Sequence, residues 1–320
     1  MRKYSSPKRC SWKMRKDKTM QTETPKHFAC VGVGVGPANL SLASLLYSYP
    51  KLPIRFLEKR PDFGWHDGQH IEGASLQVSI LKDLVTLSDP TSELSFLSYL
   101  HAHGRLYHFI NAQFDRVPRQ EFRNYLEWAC RKNKSIVFGE EVLSVDFNGV
   151  FFVRTDRGVV TADNISVGVG TEPWYPLPTF AARGESQFHV SDFKKRARYL
   201  GGKRVAVVGG GQSGAEAFLE LISRSPQELP RRVTWISRRA NFFPLDDSPF
   251  TNDYYTPSFS NYFFNLERSA REHFNERHVL TSDGISESTL REIYQRPIFA
   301  VSSKVPPIFS HYTQTVRSQR

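Results

Sequence analysis

Two stretches of the chain share one pattern of apolar and polar positions, and each predicts a strand, a glycine turn and a helix. Each begins with a short apolar run, continues through closely spaced glycines, and passes into an alanine- and leucine-rich stretch with helical character. A second apolar run of strand character follows each of them. The stretches read FACVGVGVGPANLSLA from Phe28 and RVAVVGGGQSGAEAFLE from Arg204. They predict two βαβ units, over about 28–59 and 203–240.

Further helical and extended patterns surround these two units. Aromatic residues recur at helical spacing in several stretches, and we expect them to lie in the core. Short alternating stretches between the units predict a small layer of strands. The predicted helices cover 36–48, 93–103, 118–132, 263–278 and 286–295. The predicted strands cover 28–33, 54–59, 136–138, 142–147, 150–154 and 165–169. The sequence therefore predicts an α/β protein with two Rossmann-like domains.

The first glycine turn has the residues of a dinucleotide site. Its backbone must bend tightly and approach a pyrophosphate that rests on the N–H groups of the following helix, so side chains are excluded. Gly32 and Gly34 occupy the first two glycine positions of GxGxxG, Gly36 comes one position early, and Pro37 stands at the third. Glu58 ends the next apolar run, where a carboxylate can accept hydrogen bonds from both ribose hydroxyls. We therefore expect FAD at this site.

The second glycine turn matches GxGxxG at every fixed position, with Gly209, Gly211 and Gly214. Gln212 and Ser213 fill the two variable positions between the last two glycines. Their side chains could donate to a phosphate, or they could serve the turn alone. Two dinucleotide turns in one chain indicate a flavoenzyme that is reduced by a nicotinamide cofactor.

The residues after the last strand of the second unit indicate which nicotinamide cofactor binds. The run RVTWISRR ends in Arg238 and Arg239 and contains no carboxylate. Guanidinium groups pair with a 2′-phosphate, and no acid is present to repel it, so NADPH is favoured over NADH. The alternative is two solvated arginines on a basic protein.

The charge and cysteine content narrow the function classes. The net charge of +11 is concentrated at the ends, with eight basic residues and one acidic residue in 1–20, and four basic and no acidic residues in 296–320. The remaining residues carry no net charge, so we expect no nucleic-acid partner. No long apolar stretch predicts a signal peptide or a membrane span, and the three cysteines form no CxxC pair, so we expect a cytoplasmic location.

These patterns divide the chain into four predicted regions. The motif VGVGTEPWYPLP, rich in glycine and proline, marks the crossing between the two domains. The aromatic- and asparagine-rich stretch NFFPLDDSPFTNDYYTPSFSNYFFNL is longer than a βαβ unit requires, and we expect it to build a substrate site. The regions are a disordered basic arm at 1–26, an FAD-binding domain at 27–185, an NADPH-binding domain with the substrate-site insertion at 186–295, and an unstructured tail at 296–320.

A series of longer motifs carries a family resemblance, from about Phe28 to Gln295. In order, they read GVGVGPANLSLA, FGWHDGQ, LQVSILKDLVTLSDPTSELSFLSYL, RQEFRNYLEWA, GGGQSGAEAF, DDSPFTNDYYTP and LTSDGISESTLREIY. Together they resemble the L-lysine and L-ornithine N-hydroxylases, the flavin monooxygenases of siderophore biosynthesis and iron acquisition. The resemblance implies that NADPH reduces FAD, and that the reduced flavin uses O₂ to hydroxylate a primary amine.

The resemblance also assigns roles to individual residues. Gln77 would contact the flavin, and Lys82 would bind the substrate carboxylate. Asn252 would hold the substrate backbone and the nicotinamide nucleotide, while Trp65 and His66 match a pair that lies next to the flavin. The alternatives are a solvated lysine, a common loop asparagine, and a packed aromatic beside a hydrogen-bonded histidine. No metal site is expected, and a homo-oligomer is possible by the resemblance.

The sequence leaves three alternatives to a lysine or ornithine hydroxylase. The amine could belong to a diamine or to histamine. A Baeyer–Villiger or dimethylaniline type of monooxygenase has no counterpart for LKDLVTL or SPFTN, and the spacing between Gly184 and His189 does not match its motif. Family members continue past this chain's last motif, so we expect a C-terminally truncated chain with an incomplete FAD domain. Such a chain could be an inactive remnant.

Overall fold

The computed structural model describes residues 25–114, 116–175 and 184–300. Over this part of the chain the protein forms two α/β units, and each contains one of the predicted glycine turns. The predicted arm and tail fall outside the described residues, except at their inner boundaries. The predicted fold class is confirmed.

Six strands form the sheet of the first unit. They are β1 (Lys26–Val33), β2 (Ile54–Glu58), β3 (Ile136–Phe138), β4 (Val142–Asn148), β5 (Val150–Thr155) and β6 (Gly158–Val167). Their spatial order is β3–β2–β1–β6–β5–β4. Strand β1 is parallel to both β2 and β6, whereas β4, β5 and β6 are antiparallel neighbours. The carboxyl ends of β1, β2 and β6 therefore meet at one edge, where nucleotide sites form in such sheets.

Strand β6 differs from its prediction. It begins at Gly158, not at 165, and it ends at Val167. Its first residues pair with β5 across a turn, and the strand then continues along β1. Polar residues at Thr161 and Asn164 interrupt the apolar alternation on which the prediction relied, whereas pairing on two sides keeps the chain extended.

Four helices accompany this sheet. They are α1 (Pro37–Leu46), α2 (Phe96–Ala102), α3 (Leu106–Ala112) and α4 (Arg119–Lys132). The predicted aromatic core is confirmed, since Phe96 and Tyr125 are buried and pack in one cluster with Leu40 of α1 and Phe56 of β2. Helix α3 was not predicted, because it is short and contributes no buried residue that would give a helical period.

The second unit contains a parallel strand pair, β7 (Arg204–Val208) and β8 (Arg232–Ile236). Its helices are α5 (Phe193–Arg196), α6 (Gln212–Ile222), α7 (Pro249–Asn252), α8 (Pro257–Phe264), α9 (Arg268–Arg277), α10 (Leu280–Asp283) and α11 (Glu287–Ala300). Helix α6 packs against α11 through Phe218 and Ile293, with Ile285 buried between the elements. This packing holds the chain after the insertion against the helix that follows the glycine turn.

Two predicted helices have different boundaries in the structure. The single helix expected at 263–278 is two helices, α8 and α9, because Asn265 caps α8 with a side-chain bond to the carbonyl of Asn261 and Glu267 is extended. The helix expected at 286–295 continues as α11 to Ala300, past the predicted domain boundary. Arg296 pairs with Glu292 one turn earlier, which supports this extension.

Candidate cofactor and substrate site

The first glycine turn connects β1 to α1 and excludes side chains. Gly34 has a φ of +84°, and a Cβ atom on it would lie 2.6 Å from the carbonyl oxygen of Gly168, just after β6. Gly36 is the N-cap of α1 and Pro37 its first residue, with no side-chain cap and no acid in the first turn. The N–H groups at this helix start are open to an anion, so the turn fits a pyrophosphate.

Buried contacts hold this turn in place. A Cβ atom on Gly32 would lie 2.1 Å from the ring of Phe56 on the adjacent strand. Asn39 is 2% exposed, and its amide nitrogen donates to the carbonyl of Gly34 at 2.8 Å while its oxygen accepts from the Ser166 hydroxyl at 2.7 Å. Asn39 was not predicted; the signal for it is a lone amide among the apolar residues of α1.

Glu58 lies beside the first turn, as predicted, with its carboxylate largely engaged. Oε2 accepts from the backbone N–H of Val35 at 3.0 Å, and Oε1 accepts from the N–H and Nε of Arg60, both at 3.1 Å. Burial acts to raise the pKa of Glu58, but these hydrogen bonds and the Arg60 charge outweigh it and lower the pKa. A carboxylate has about four acceptor positions, so about one is left for a ribose hydroxyl.

The second glycine turn connects β7 to α6. Gly209 has a φ of +143°, and a Cβ atom on Gly214 would lie 2.2 Å from the Gly209 carbonyl oxygen. Trp235 Nε1 donates to the same carbonyl at 2.8 Å. Gly211 is the N-cap of α6, again without a side-chain cap or an acid in the first turn, and Ser213 is exposed. This turn also fits a pyrophosphate, with the Ser213 hydroxyl free to reach it.

Gln212, by contrast, is fully engaged within the protein. Its Nε2 donates to Glu216 at 2.9 Å and to the Thr289 hydroxyl at 3.4 Å. Its Oε1 accepts from the backbone N–H of Ser286 at 2.8 Å. The expected side-chain contact from Gln212 to a phosphate has no free donor here, because neighbouring elements use both ends of the amide.

The two arginines after β8 differ in their surroundings. Arg239 donates to the backbone carbonyl of Asp283 at 2.7 Å and forms an ion pair with its carboxylate at 3.2 Å. Arg238 is exposed, and its side chain makes no hydrogen bond or ion pair within the described part of the chain. Of the pair, Arg238 is therefore the side chain that is free to meet a phosphate.

Trp65 and His66 lie at the edge of the core of the first unit. Trp65 is half-buried, with its ring edge-on to Phe122 at 5.8 Å between centroids, while His66 is exposed and has a φ of +51°. Behind them, His70 is buried, and one of its ring nitrogens, Nε2, lies 2.7 Å from the Trp65 carbonyl. Burial lowers the pKa of His70, and because a carbonyl oxygen can only accept, Nε2 carries a proton and donates.

Gln77 has a buried polar atom without a partner. Its Nε2 makes no hydrogen bond to any described residue. The residues just before it, 74–76, pair with the chain that leads into α4: Leu76 N–H donates to the Val117 carbonyl at 2.8 Å. An unsatisfied buried donor costs about 1–3 kcal/mol, and a ligand acceptor would remove that cost. Gln77 therefore fits the predicted contact with a flavin ring.

Lys82 and the insertion of the second unit come together at the seam between the units. Lys82 is exposed, and its Nζ lies 6.0 Å from the ring centroid of Tyr255. Asn252, three residues before Tyr255, is exposed, and its Nδ2 donates to the Asp247 carbonyl at 3.0 Å. An ion pair of 3.0 Å between Arg116 and the Asp247 carboxylate joins the units here. Lys82 has no ion-pair partner among the described residues.

Arg119 and Glu216 were not predicted as site residues. They form a buried ion pair between α4 and α6. Both stand inside motifs that carried the resemblance, RQEFRNYLEWA and GGGQSGAEAF, but nothing in the sequence pairs one with the other. Such a pairing depends on how the two units dock.

The described residues contain neither a candidate metal site nor a candidate membrane-spanning helix. No group of three or more His, Cys, Asp or Glu side chains is arranged to hold a metal ion there. In the same part of the chain, no helix combines the length and apolar character needed to cross a bilayer.

Comparison with known families gives a match over most of the chain. A profile of the L-lysine 6-monooxygenase/L-ornithine 5-monooxygenase family matches residues 26–307. L-lysine N6-monooxygenase from Escherichia coli is 38% identical over 268 residues, which cover 83% of this chain and 63% of that protein. Putrescine N-hydroxylase from Acinetobacter baumannii is 31% identical over 271 residues, which cover 82% of this chain and 60% of that protein. The chain thus spans less than two thirds of these relatives.

Solved structures show the same fold. The cadaverine monooxygenase of desferrioxamine biosynthesis from Erwinia amylovora, solved with FAD, superposes with a TM-score of 0.83 at 28% identity, over 88% of this chain and 68% of that one. The ornithine N-hydroxylase from Kutzneria sp. 744, solved with reduced FAD, NADP⁺ and L-ornithine, gives a TM-score of 0.80 at 32% identity, over 88% and 70%.

Proposed function

The chain belongs to the L-lysine 6-monooxygenase/L-ornithine 5-monooxygenase family, and on this premise we propose that it takes part in FAD- and NADPH-dependent N-hydroxylation of the side-chain amine of lysine or ornithine. The product would be a precursor of a hydroxamate siderophore. The chain spans 63% and 60% of the length of two relatives, so the proposed activity rests on the role of each residue present in this chain.

The two glycine turns would hold the two cofactors. The first turn, with Glu58, would hold FAD, and the open amide of Gln77 would meet an acceptor on the flavin ring. The second turn would hold NADPH, with Ser213 and Arg238 free to meet its phosphates. When bound and reduced by NADPH, FAD would activate O₂ for the hydroxylation of an amine. We therefore assign residues 27–185 to an FAD-binding domain and residues 186–295 to an NADPH-binding domain.

The observation that carries the proposal is the meeting of Lys82 with the insertion of the second unit. Lys82 Nζ lies 6.0 Å from the Tyr255 ring centroid. Asn252, three residues before Tyr255, is exposed, and its side-chain amide donates to the Asp247 carbonyl. This seam joins the unit that carries the FAD-type turn to the unit that carries the NADPH-type turn, and small-molecule sites occur preferentially at such interfaces between domains. A free lysine cation there supports binding of a carboxylate.

A free carboxylate on the substrate favours an amino acid. Lysine and ornithine each carry an α-carboxylate together with a side-chain amine whose pKa of about 10.4 keeps it protonated at pH 7. That amine must lose its proton before its nitrogen can react, so the site must favour the neutral form. A diamine is the second candidate, since relatives include a putrescine hydroxylase and a cadaverine monooxygenase.

The proposal also includes the cellular location and the oligomeric state. A cytoplasmic location is supported by cysteines that form no CxxC pair, with Cys130 buried. A homo-oligomer is supported by apolar side chains on α7 and α8 that face solvent, since Phe250 is 85% exposed and Phe264 is 75% exposed.

The first experiment is a titration of the purified chain with FAD, followed by flavin fluorescence. Saturable binding is expected, and NADPH should then support formation of a hydroxylamine from lysine or ornithine. Lys82→Ala should lower that rate, whereas Lys134→Ala removes the same charge from an exposed position just after the end of α4 and should not. No saturable FAD binding, or equal loss in both variants, would contradict the proposal.

A further inference from the structure

A buried ion pair joins the two units. Arg119, the first residue of α4, donates from its two terminal nitrogens to the two carboxylate oxygens of Glu216 on α6, at 2.9 and 3.0 Å. The side chains are 17% and 7% exposed, so water hardly reaches the pair. Because the contact is bidentate and shielded, it fixes both the separation and the relative orientation of α4 and α6.

On the side of the first unit, Arg119 is fastened to the segment that carries Gln77. The backbone N–H of Arg119 donates to the Ala74 carbonyl at 2.9 Å, and Leu76 N–H donates to the Val117 carbonyl at 2.8 Å. These bonds form a short two-stranded contact at the start of α4. Any movement of Arg119 is therefore passed to the residues just before the Gln77 amide.

On the side of the second unit, Glu216 is fastened to the second glycine turn. Its Oε1 also accepts from Gln212 Nε2 at 2.9 Å. Gln212 Oε1 in turn accepts from the Ser286 N–H at 2.8 Å, so the chain after α10 is held by the same network. Glu216 thus accepts two hydrogen bonds from the charged guanidinium of Arg119 and one from the neutral amide of Gln212.

We propose that Arg119 and Glu216 are positioning residues that set the second glycine turn against the Gln77 segment, and thereby set the rate at which NADPH reduces bound FAD. The inference rests on the proposed function. Reaction between two ligands held by different units requires their positions to be fixed to within a fraction of an ångström. Each glycine turn fixes a ligand to its own unit, whereas this pair fixes one unit to the other.

The test compares Glu216→Gln with a matched control on the same helix. Glu216→Gln keeps the shape and an acceptor for Gln212 but removes the charge that Arg119 needs. Glu220→Gln removes a similar carboxylate, one turn along α6, whose guanidinium partner Arg224 lies at 2.9 Å, just past the end of the same helix. Arg119→Lys keeps the charge but not the bidentate geometry, and should resemble Glu216→Gln.

Two measurements are made on each variant. In the cofactor-free protein, hydrogen exchange of the Arg119 and Ser286 amides should become about threefold faster in Glu216→Gln than in Glu220→Gln. In the FAD complex, anaerobic reduction by saturating NADPH should be about tenfold slower, with the affinities for FAD and NADP⁺ within about threefold of the parent protein.

The outcomes separate this inference from the proposed function. Unchanged exchange at both amides overturns the coupling, whatever the activity. Faster exchange with a reduction rate equal to that of Glu220→Gln overturns the positioning role. Faster exchange in a chain that binds no FAD supports the coupling and defeats the proposed function.

Discussion

Replacing Glu58 by Gln tests whether the carboxylate stabilises the first glycine turn. Glu58 is 6% exposed and accepts hydrogen bonds from the N–H of Val35 and from Arg60. An amide has one acceptor oxygen, so the Val35 N–H or the Arg60 donors must face an NH₂ group instead. A hydrogen bond to a charged group contributes about 1.5–3 kcal/mol, and the half-exposed Arg60 charge about 0–1 kcal/mol more. The free energy of unfolding should fall by about 1.5–4 kcal/mol.

The effect should depend on pH in a definite direction. The folded-state pKa of Glu58 lies below its ordinary value, so its contribution is fully present above the unfolded pKa of about 4.3 and is lost as the pH falls through the folded pKa. The difference between the parent protein and Glu58→Gln should be constant from about pH 7 to 5, and should shrink below about pH 4.

Urea unfolding followed by circular dichroism, at several pH values in this range, measures the difference. Glu141→Gln is the matched control, because Glu141 makes an exposed ion pair of 3.9 Å with Lys59 and should change stability by less than about 1 kcal/mol. A Glu58→Gln loss no larger than that of the control, or a loss that persists unchanged at low pH, would refute the assignment of charge-assisted hydrogen bonds to Glu58.

Four further substitutions test the proposed binding residues and the turns that position them. Lys82→Ala should raise KM for lysine about tenfold and leave a diamine within about twofold, since a diamine has no carboxylate; equal effects in steady-state assays would argue against the carboxylate contact. Arg238→Ala should raise KM for NADPH about tenfold without affecting NADH, whereas Arg239→Ala should weaken both, because Arg239 holds Asp283 in place. Gly34→Ala should abolish FAD binding in a fluorescence titration, because its φ is +84° and its Cβ would meet a backbone oxygen; retained affinity would show that the turn is not the FAD site.

The glycine turns could be predicted from sequence because their requirement is local. Gly34 and Gly209 adopt positive φ values, and a Cβ on Gly214 would meet an atom only five residues away. Helix α4, which has a clear apolar face, was predicted within a residue of its bounds. These features depend on the backbone and on neighbours in the sequence, which a pattern of residue types records.

Other features depend on contacts between distant segments and could not be predicted. Strand β6 is long because β1 and β5 flank it, not because of its own alternation. Gln212 was expected to be able to donate to a phosphate, yet its Nε2 donates instead to Glu216 and to Thr289, which is far along the chain. Arg238 and Arg239 are equivalent in sequence, and only the position of Asp283 distinguishes them.

The second glycine turn therefore separates into a frame and a binding surface. Gln212 and Arg239 tie the turn to α11 and to α10: the Gln212 amide is used at both ends, and the Arg239 guanidinium is held by Asp283. Ser213 and Arg238 are exposed on the same turn region and are free to meet phosphates. Changes to the frame should weaken NADPH and NADH alike, because they move the backbone that both cofactors use. Changes to the binding surface should act through the phosphates, and at Arg238 through the 2′-phosphate that distinguishes the two cofactors.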